Sequence, residues 1–301
     1  LLYEKKGSIM NTKDFIIAVG IMFIWGVNFS VIKLGLTSLD PFMLSGLRFL
    51  LCAFPLVFFI KKPNIPFKYI ISYGLFFGVG LWGVVSLGIY FGISAGVASL
   101  VLQMGAFFTV IMAYYTLEEE IDLSKRLGIL LAFLGIAMII SVTDGSVTYL
   151  GIALILLAAV FMAVTNIIVK KAKPKKIFAF FVWSSLFSPI PLFIIAYFTQ
   201  GEIVFINFFD SLDQNAIFSI LFQVYPTSLL GYWVWNSLLN KYPASSVAPL
   251  GLLVPIFGLM GSYFLFGEEI GLNKLLACLL IIAGLAVNTF GSKIFNLKAK
   301  V

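Results

Sequence analysis

Arg48 stands inside an apolar stretch that runs over residues 41–60. An ionised side chain at the centre of a membrane-crossing helix costs about 2.5–3.5 kcal/mol on insertion scales, so the position demands a partner or a purpose. A guanidinium there suits a carboxylate, which it holds through paired N–H donors; an arginine that bridges helices or meets helix-end carbonyls is the alternative. Asn28, Gln103 and Asn166 fall in three further apolar stretches. Each amide offers donors and an acceptor, either to a small polar ligand or to a neighbouring helix. Trp25 lies at depth, where an indole N–H needs a partner or a wet cavity. Helical spacing brings Tyr225, Tyr232, Trp235 and Asn236 near one stripe that could wall such a cavity. The binding set read from the residues is Trp25, Asn28, Arg48, Gln103, Asn166, Tyr232 and Trp235. Pro249 and Pro255 free backbone carbonyls and are expected to act as hinges or to line the same space.

Other chemistry finds no support in the residues. Histidine is absent, which removes the commonest general base and transition-metal ligand. Cys52 and Cys278 sit in separate apolar runs without metal-binding spacing. There is no nucleophile–base set, no phosphate-binding loop and no metal cluster, so the chain is expected to be no enzyme and to carry no cofactor or metal.

The elements that must position these residues are set by composition. Hydrophobic residues make up 61% of the 301 and charged residues 11%, with a mean hydropathy of +1.08. That leaves too little polar surface to cover a water-soluble globule of this size, and lipid becomes the solvent. A bilayer core of about 30 Å takes roughly 20 apolar residues per helix. Breaking the chain at glycine, proline and charge clusters then predicts ten spans: 15–36, 41–60, 69–91, 95–117, 125–142, 149–169, 177–198, 216–239, 244–266 and 274–293. Lysine and arginine between the spans gather on one side, as at Lys61–Lys62, Lys125–Arg126 and the run from Lys170 to Lys176; only Lys274 falls opposite. The net charge of +7 is therefore a topology signal, with both termini cytoplasmic, and not a nucleic-acid surface. Lys33, near the outer end of the first span, is expected to snorkel, and Lys170 to be a topology charge. Residues 1–9, which precede Met10, read as an extension outside the fold.

The two halves echo one another. Trp25-Gly26-x-Asn28 with Lys33 answers to Met162-Ala163-x-Thr165-Asn166 with Lys170. The Ala-Gly-Val-Ala-Ser run from Ala95 answers to the Ala-Ser-Ser-Val-Ala run from Ala244, and Glu119 answers to Glu268, both at an offset of 149 positions. The boundaries read as a first five-helix unit over 10–145 and a second over 146–301. An odd number of crossings per unit inserts the second copy upside down, the symmetry on which alternating access rests. Every aspartate and glutamate falls in a loop or at a span edge, so no deep carboxylate marks proton coupling, and exchange or a substrate gradient is the expected drive.

These motifs resemble the EamA group of the drug/metabolite transporter superfamily, most of all its O-acetylserine/cysteine exporters, over about residues 13–291. The carrying residues are Trp25-Gly26-x-Asn28-Phe29 with Lys33, Gly46-Leu47-Arg48-Phe49, Ala98-Ser99-Leu100 through Gln103, and Val247-Ala248-Pro249-Leu250 with Pro255. The chain departs from the group's pattern at Glu118, at Met162 and along the third span at Trp82, Ser86 and Tyr90. The resemblance implies an all-α membrane protein with ten helices in two inverted repeats. It implies export of a small amino acid or related metabolite, zwitterionic and cysteine- or O-acetylserine-like, across a bacterial inner membrane. Multidrug or aromatic-compound efflux, and a non-transporting scaffold or sensor subunit, stand as alternatives; the expected contacts are substrate and lipid, with no nucleic acid. The sequence sets no oligomeric state.

Overall fold

The computed structural model describes residues 10–298, so the expected extension at 1–9 lies outside the described residues. Ten helices long and apolar enough to cross a membrane follow one another. They are α1 (Thr12–Gly35), α2 (Pro41–Phe59), α3 (Phe67–Tyr90), α4 (Ala95–Leu117) and α5 (Leu123–Ile140). The second half holds α6 (Tyr149–Ala172), α7 (Ile177–Gln200), α8 (Gln214–Lys241), α9 (Ala248–Phe266) and α10 (Leu272–Gly291). Among the described residues there is no strand. Large apolar side chains such as Phe58, Phe59, Phe198 and Phe264 point outward, the surface of a multi-pass membrane protein that lipid must solvate.

Local chemistry starts the helices where the chain turns. Asn11, Asp40, Ser94, Asp122, Thr148 and Asp213 each accept a backbone N–H of the first helical turn. These are the residue types that satisfy the orphan donors of a helix N-terminus.

The interiors of the helices are less regular than the sequence pattern foretells, and the irregularity is shared by the halves. α1, α5, α6 and α10 are continuous. α3 and α8 each contain a π-helical stretch, over Leu75–Gly83 and Gln223–Leu230. α4 breaks at Leu102–Gln103, and α9 opens on a 3-10 stretch over Ala248–Leu253 after the short turn Ala244–Val247. α2 breaks at Phe54–Pro55 and α7 at Leu186–Ser188.

The ends of α4 and α9 match in detail. Glu118 (φ 57°) and Gly267 (φ 63°) both take the left-handed conformation. In each case the next N–H, that of Glu119 or Glu268, reaches back to the carbonyl of Ala113 or Ser262, so the left-handed turn occupies a carbonyl of the last helical turns that would otherwise be orphaned. The following carboxylates then take equivalent lysines: Glu119 meets Lys170 at 2.7 Å and Glu268 meets Lys33 at 2.6 Å. Lys33, at the outer end of α1, is thus held by an ion pair at the edge of the span.

Glu118 occupies a position that glycine fills without steric cost. Glu118→Gly is expected to stabilise the protein by about 1 kcal/mol, since an L-residue in the left-handed region costs roughly 1–2 kcal/mol and glycine returns part of that in chain entropy. Thermal unfolding in detergent checks this, with Gly267→Glu expected to move the midpoint the other way.

Packing follows the same pairing. α1 lies on α8 and α9, α6 lies on α3 and α4, α5 packs on α10, and α2 on α7. Close approach needs small residues. A Cβ on Gly26 would meet the Val254 carbonyl oxygen at 2.6 Å and the Gly258 nitrogen at 2.8 Å, so α1 and α9 touch backbone to backbone there. α3 is held against α7 in the same way, at Gly74 by the Ser184 carbonyl and at Gly78 by the Ser188 side chain.

Candidate functional site

Between the halves lies a cavity of about 350 Å³. The interruptions of α4 and α9 face it, through Leu102 and Gln103 on one side and Gly251 and Val254 on the other. At the end of the bundle away from Thr12, α4 and α9 close on each other. There the Gly96 N–H donates to Ser262 Oγ at 3.1 Å, and Gly258 leaves no room beyond the Ser99 side chain. The cavity is therefore displaced toward the end at which α1 starts.

All seven residues of the binding set, Trp25, Asn28, Arg48, Gln103, Asn166, Tyr232 and Trp235, stand in its wall. The two prolines do not. Pro249 lies in the first turn of the 3-10 stretch and Pro255 in the first turn of the helix after it, while Gly251 and Val254 beside them face the space. α7 contributes no wall residue and instead backs Tyr232 through Phe181, ring centres 4.9 Å apart.

Arg48 is 1% exposed and pairs with no carboxylate among the described residues. Its Nε and Nη2 donate to Ser228 Oγ at 3.2 and 3.0 Å, and Nη1 donates to Gln223 Oε1 at 3.4 Å. Gln223 is oriented in turn by donating to Ser219 Oγ at 3.0 Å, and Ser219 donates to the Val31 carbonyl at 2.7 Å. Trp82 covers the guanidinium, its ring centre 4.2 Å from Cζ. Neutral partners and a π face hold the cation in place without cancelling its charge.

Asn28 is fully buried on the same wall. Its Oδ1 accepts from Thr227 Oγ1 at 3.1 Å, but its Nδ2 has no partner among the described residues. A buried donor left unmatched costs about 1–3 kcal/mol, which a ligand acceptor would recover. Asn166 is better satisfied, donating to Thr109 Oγ1 at 3.0 Å. Trp25 donates to the Thr227 carbonyl at 3.0 Å, within the π-helical part of α8, and lies against Tyr232 and Trp235 at 5.6 and 5.5 Å between ring centres.

The stripe expected on α8 is only partly right. Tyr225 is 56% exposed and faces away from the cavity. The 3.6-residue repeat fails across the π-helical segment, where hydrogen bonds span one more residue and each turn is wider. Asn236 is also outside the wall. The face of α3 that carries Tyr73, Phe77 and Trp82 lines the cavity, though none of the three stood in the expected binding set; the signal available was the departure of that span from its relatives at Trp82.

No acidic residue lines the cavity. The carboxylates stand instead at the ends of the bundle. Burial raises the Glu268 carboxyl, but hydrogen bonds from Lys33 and Ser262 outweigh it and hold the group below its ordinary value. Lys274 is 2% exposed, with Asp144 at 2.7 Å, so it is a paired structural charge as well as a topological one. Burial raises Asp144 too, yet Lys274 and Ser146 bring it down to about 2. Among the described residues no cluster of metal-binding side chains occurs.

Ten membrane-crossing helices around an acid-free central cavity define a membrane-transporter architecture, and comparison with known proteins agrees. Residues 13–141, and again 149–290, match the EamA-like transporter family. A "Probable amino-acid metabolite efflux pump" of Escherichia coli strain K12 is 36% identical over 288 residues, 94% of this chain and 96% of that one. Its namesake in Salmonella typhimurium strain LT2 is 36% identical over 95% of this chain and 97% of its own length. A solved crystal structure superposes with a TM-score of 0.60 at 15% identity, covering 94% of this chain and 100% of that one, a likeness of fold. The chain belongs to the EamA-like transporter family.

Proposed function

We propose that this protein exports an amino acid or a related metabolite across a bacterial inner membrane by alternating access, binding it in the central cavity through its carboxylate. The observation that carries this reading is Arg48, a buried cation with no acid partner among the described residues, on the wall of a space of ligand size. Asn28, with its unmatched donor, completes the carboxylate site. Trp25, Tyr232 and Trp235 shape the wall that receives the rest of the molecule, and Gln103 and Asn166 offer polar contacts opposite. The name shared by the two relatives supports the substrate class, and the resemblance to O-acetylserine/cysteine exporters supports a zwitterion.

Alternating access follows from reading the halves as inverted repeats. Five crossings reverse the sense of the second half, and the matched breaks, π-helical stretches and left-handed helix ends support an exchange of roles between the halves. With basic loops toward the cytoplasm, the end closed by α4 and α9 faces outward and the cavity lies toward the cytoplasm, where an exporter loads. The absence of an acid in the cavity wall supports exchange or substrate-gradient drive over coupling through a deep carboxylate. It also disfavours efflux of cationic drugs.

The test is counterflow in proteoliposomes loaded with unlabelled amino acids. A labelled substrate is expected to accumulate transiently and saturably when the lumen holds an excess of the same compound. Flux that is linear in concentration and indifferent to the internal compound would indicate a channel, and no flux with any of them would favour a scaffold.

A further inference from the structure

The guanidinium carries five N–H donors, and three of them are engaged by Ser228 and Gln223 among the described residues. Two of its donors are left over, and the same cavity is lined by Asn28, whose Nδ2 has no partner among the described residues. Unspent donors and one positive charge lining a single cavity are the chemistry that receives a carboxylate. Nothing of the opposite sign complements it: the wall holds no aspartate or glutamate to receive an ammonium group.

From Arg48 outward the wall is a continuous run of rings. Trp82 covers the guanidinium at 4.2 Å, Phe77 follows at 6.4 Å from Trp82, and Tyr232 at 6.0 Å from Phe77. Trp25 and Trp235 continue the run, with 5.6 and 5.5 Å between centres. Such spacing is that of offset and edge-on aromatic contacts, to which another ring adds at little entropic cost. The space of about 350 Å³ lies within the range of pockets that bury ligands much larger than a three-carbon amino acid. A cysteine-sized molecule on Arg48 would leave the ring-lined part of the cavity without contact.

Resting on the export reading above, we infer that the ligand is a monocarboxylate borne on an aromatic or bulky apolar body, recognised by its carboxylate and its ring, with no requirement for a positive charge. Aromatic amino acids and aryl carboxylates lacking the amino group share this chemistry. Cysteine and O-acetylserine satisfy only the carboxylate half of it.

Competition in the counterflow assay separates the possibilities, using wild-type protein so that no variant need fold. Labelled phenylalanine serves as tracer, and labelled cysteine is run in parallel vesicles. Phenylalanine, phenylpropionate, phenylalaninamide, cysteine and O-acetylserine are the competitors. Phenylalanine and phenylpropionate are expected to compete within about threefold of each other, while phenylalaninamide, which keeps the ring and the positive charge but lacks the carboxylate, falls at least about tenfold behind, the loss of roughly one charged hydrogen bond. Cysteine and O-acetylserine are expected to fall behind by a similar factor. Saturable cysteine counterflow with phenylalanine and phenylpropionate inert would overturn this inference and leave the export reading standing. Equal potency of phenylalanine and its amide, or loss of competition with phenylpropionate alone, would also overturn it. Absence of flux with either tracer would remove the export reading itself.

Discussion

Arg48→Gln is expected to reduce transport by about 100-fold while leaving the fold intact or more stable. Hydrogen bonds to charged groups are worth about 1.5–3 kcal/mol each. Losing the charge-assisted pair to a carboxylate therefore removes roughly 3 kcal/mol, which is two powers of ten in affinity. Stability moves differently. Arg48 is 1% exposed without an ionic partner among the described residues, so its burial is a cost borne by the folded state rather than a source of cohesion. Glutamine retains a donor and an acceptor for Ser228 and Gln223. Flux and thermal midpoint measured on the same preparation check the two parts together. A variant that transports normally would remove Arg48 from the binding site, and one that collapses on solubilisation would assign it to the scaffold.

The second large effect concerns the two faces of the carrier. Cysteines at Gly96 and Ser262, in a chain with Cys52 and Cys278 replaced by alanine, are expected to cross-link at rest and stop flux. A Cβ on Gly96 stands 3.1 Å from Ser262 Cβ, within a small adjustment of disulfide reach. The other contact at that end, Ser99 against Gly258, maps by the repeat offset of 149 onto Ala248 and Thr109. In the present arrangement Ala248 is exposed, and Thr109 is engaged with Asn166 and the Gly105 carbonyl. If the halves exchange roles, Thr109 and Ala248 meet when the cavity closes toward the cytoplasm. A cysteine pair there is expected to cross-link slowly at rest and about tenfold faster under turnover, because substrate shifts the population between the states. Reductant should restore flux in both pairs. Cross-linking at 109 and 248 that ignores substrate would count against exchange between symmetry-related states.

Much of this was legible in the residues, for a physical reason. Polar groups in apolar runs are costly, so Arg48, Asn28, Gln103 and Asn166 announced themselves, and all four reached one cavity. The ten spans were legible because hydrocarbon thickness sets their length. What stayed hidden depended on backbone detail. The π-helical stretch of α8 turned Tyr225 outward and brought Tyr232 and Trp235 inward, and no hydropathy pattern records an extra residue in a turn. Gln223 and Ser228 as the partners of Arg48 were hidden among many small polar residues. The α3 face with Tyr73 and Phe77 was hidden because aromatic residues are common everywhere in this chain, at 16%. Lys274 and Lys33 read as isolated charges until the loop carboxylates Asp144 and Glu268 were placed beside them.

Whether Arg48 holds the substrate is decided by counterflow with wild-type protein and Arg48→Gln reconstituted at matched density. Saturable, trans-stimulated uptake of a carboxylate-bearing substrate is expected of the wild type, with a loss of about two orders of magnitude in the variant. Equal exchange by the two proteins would contradict it.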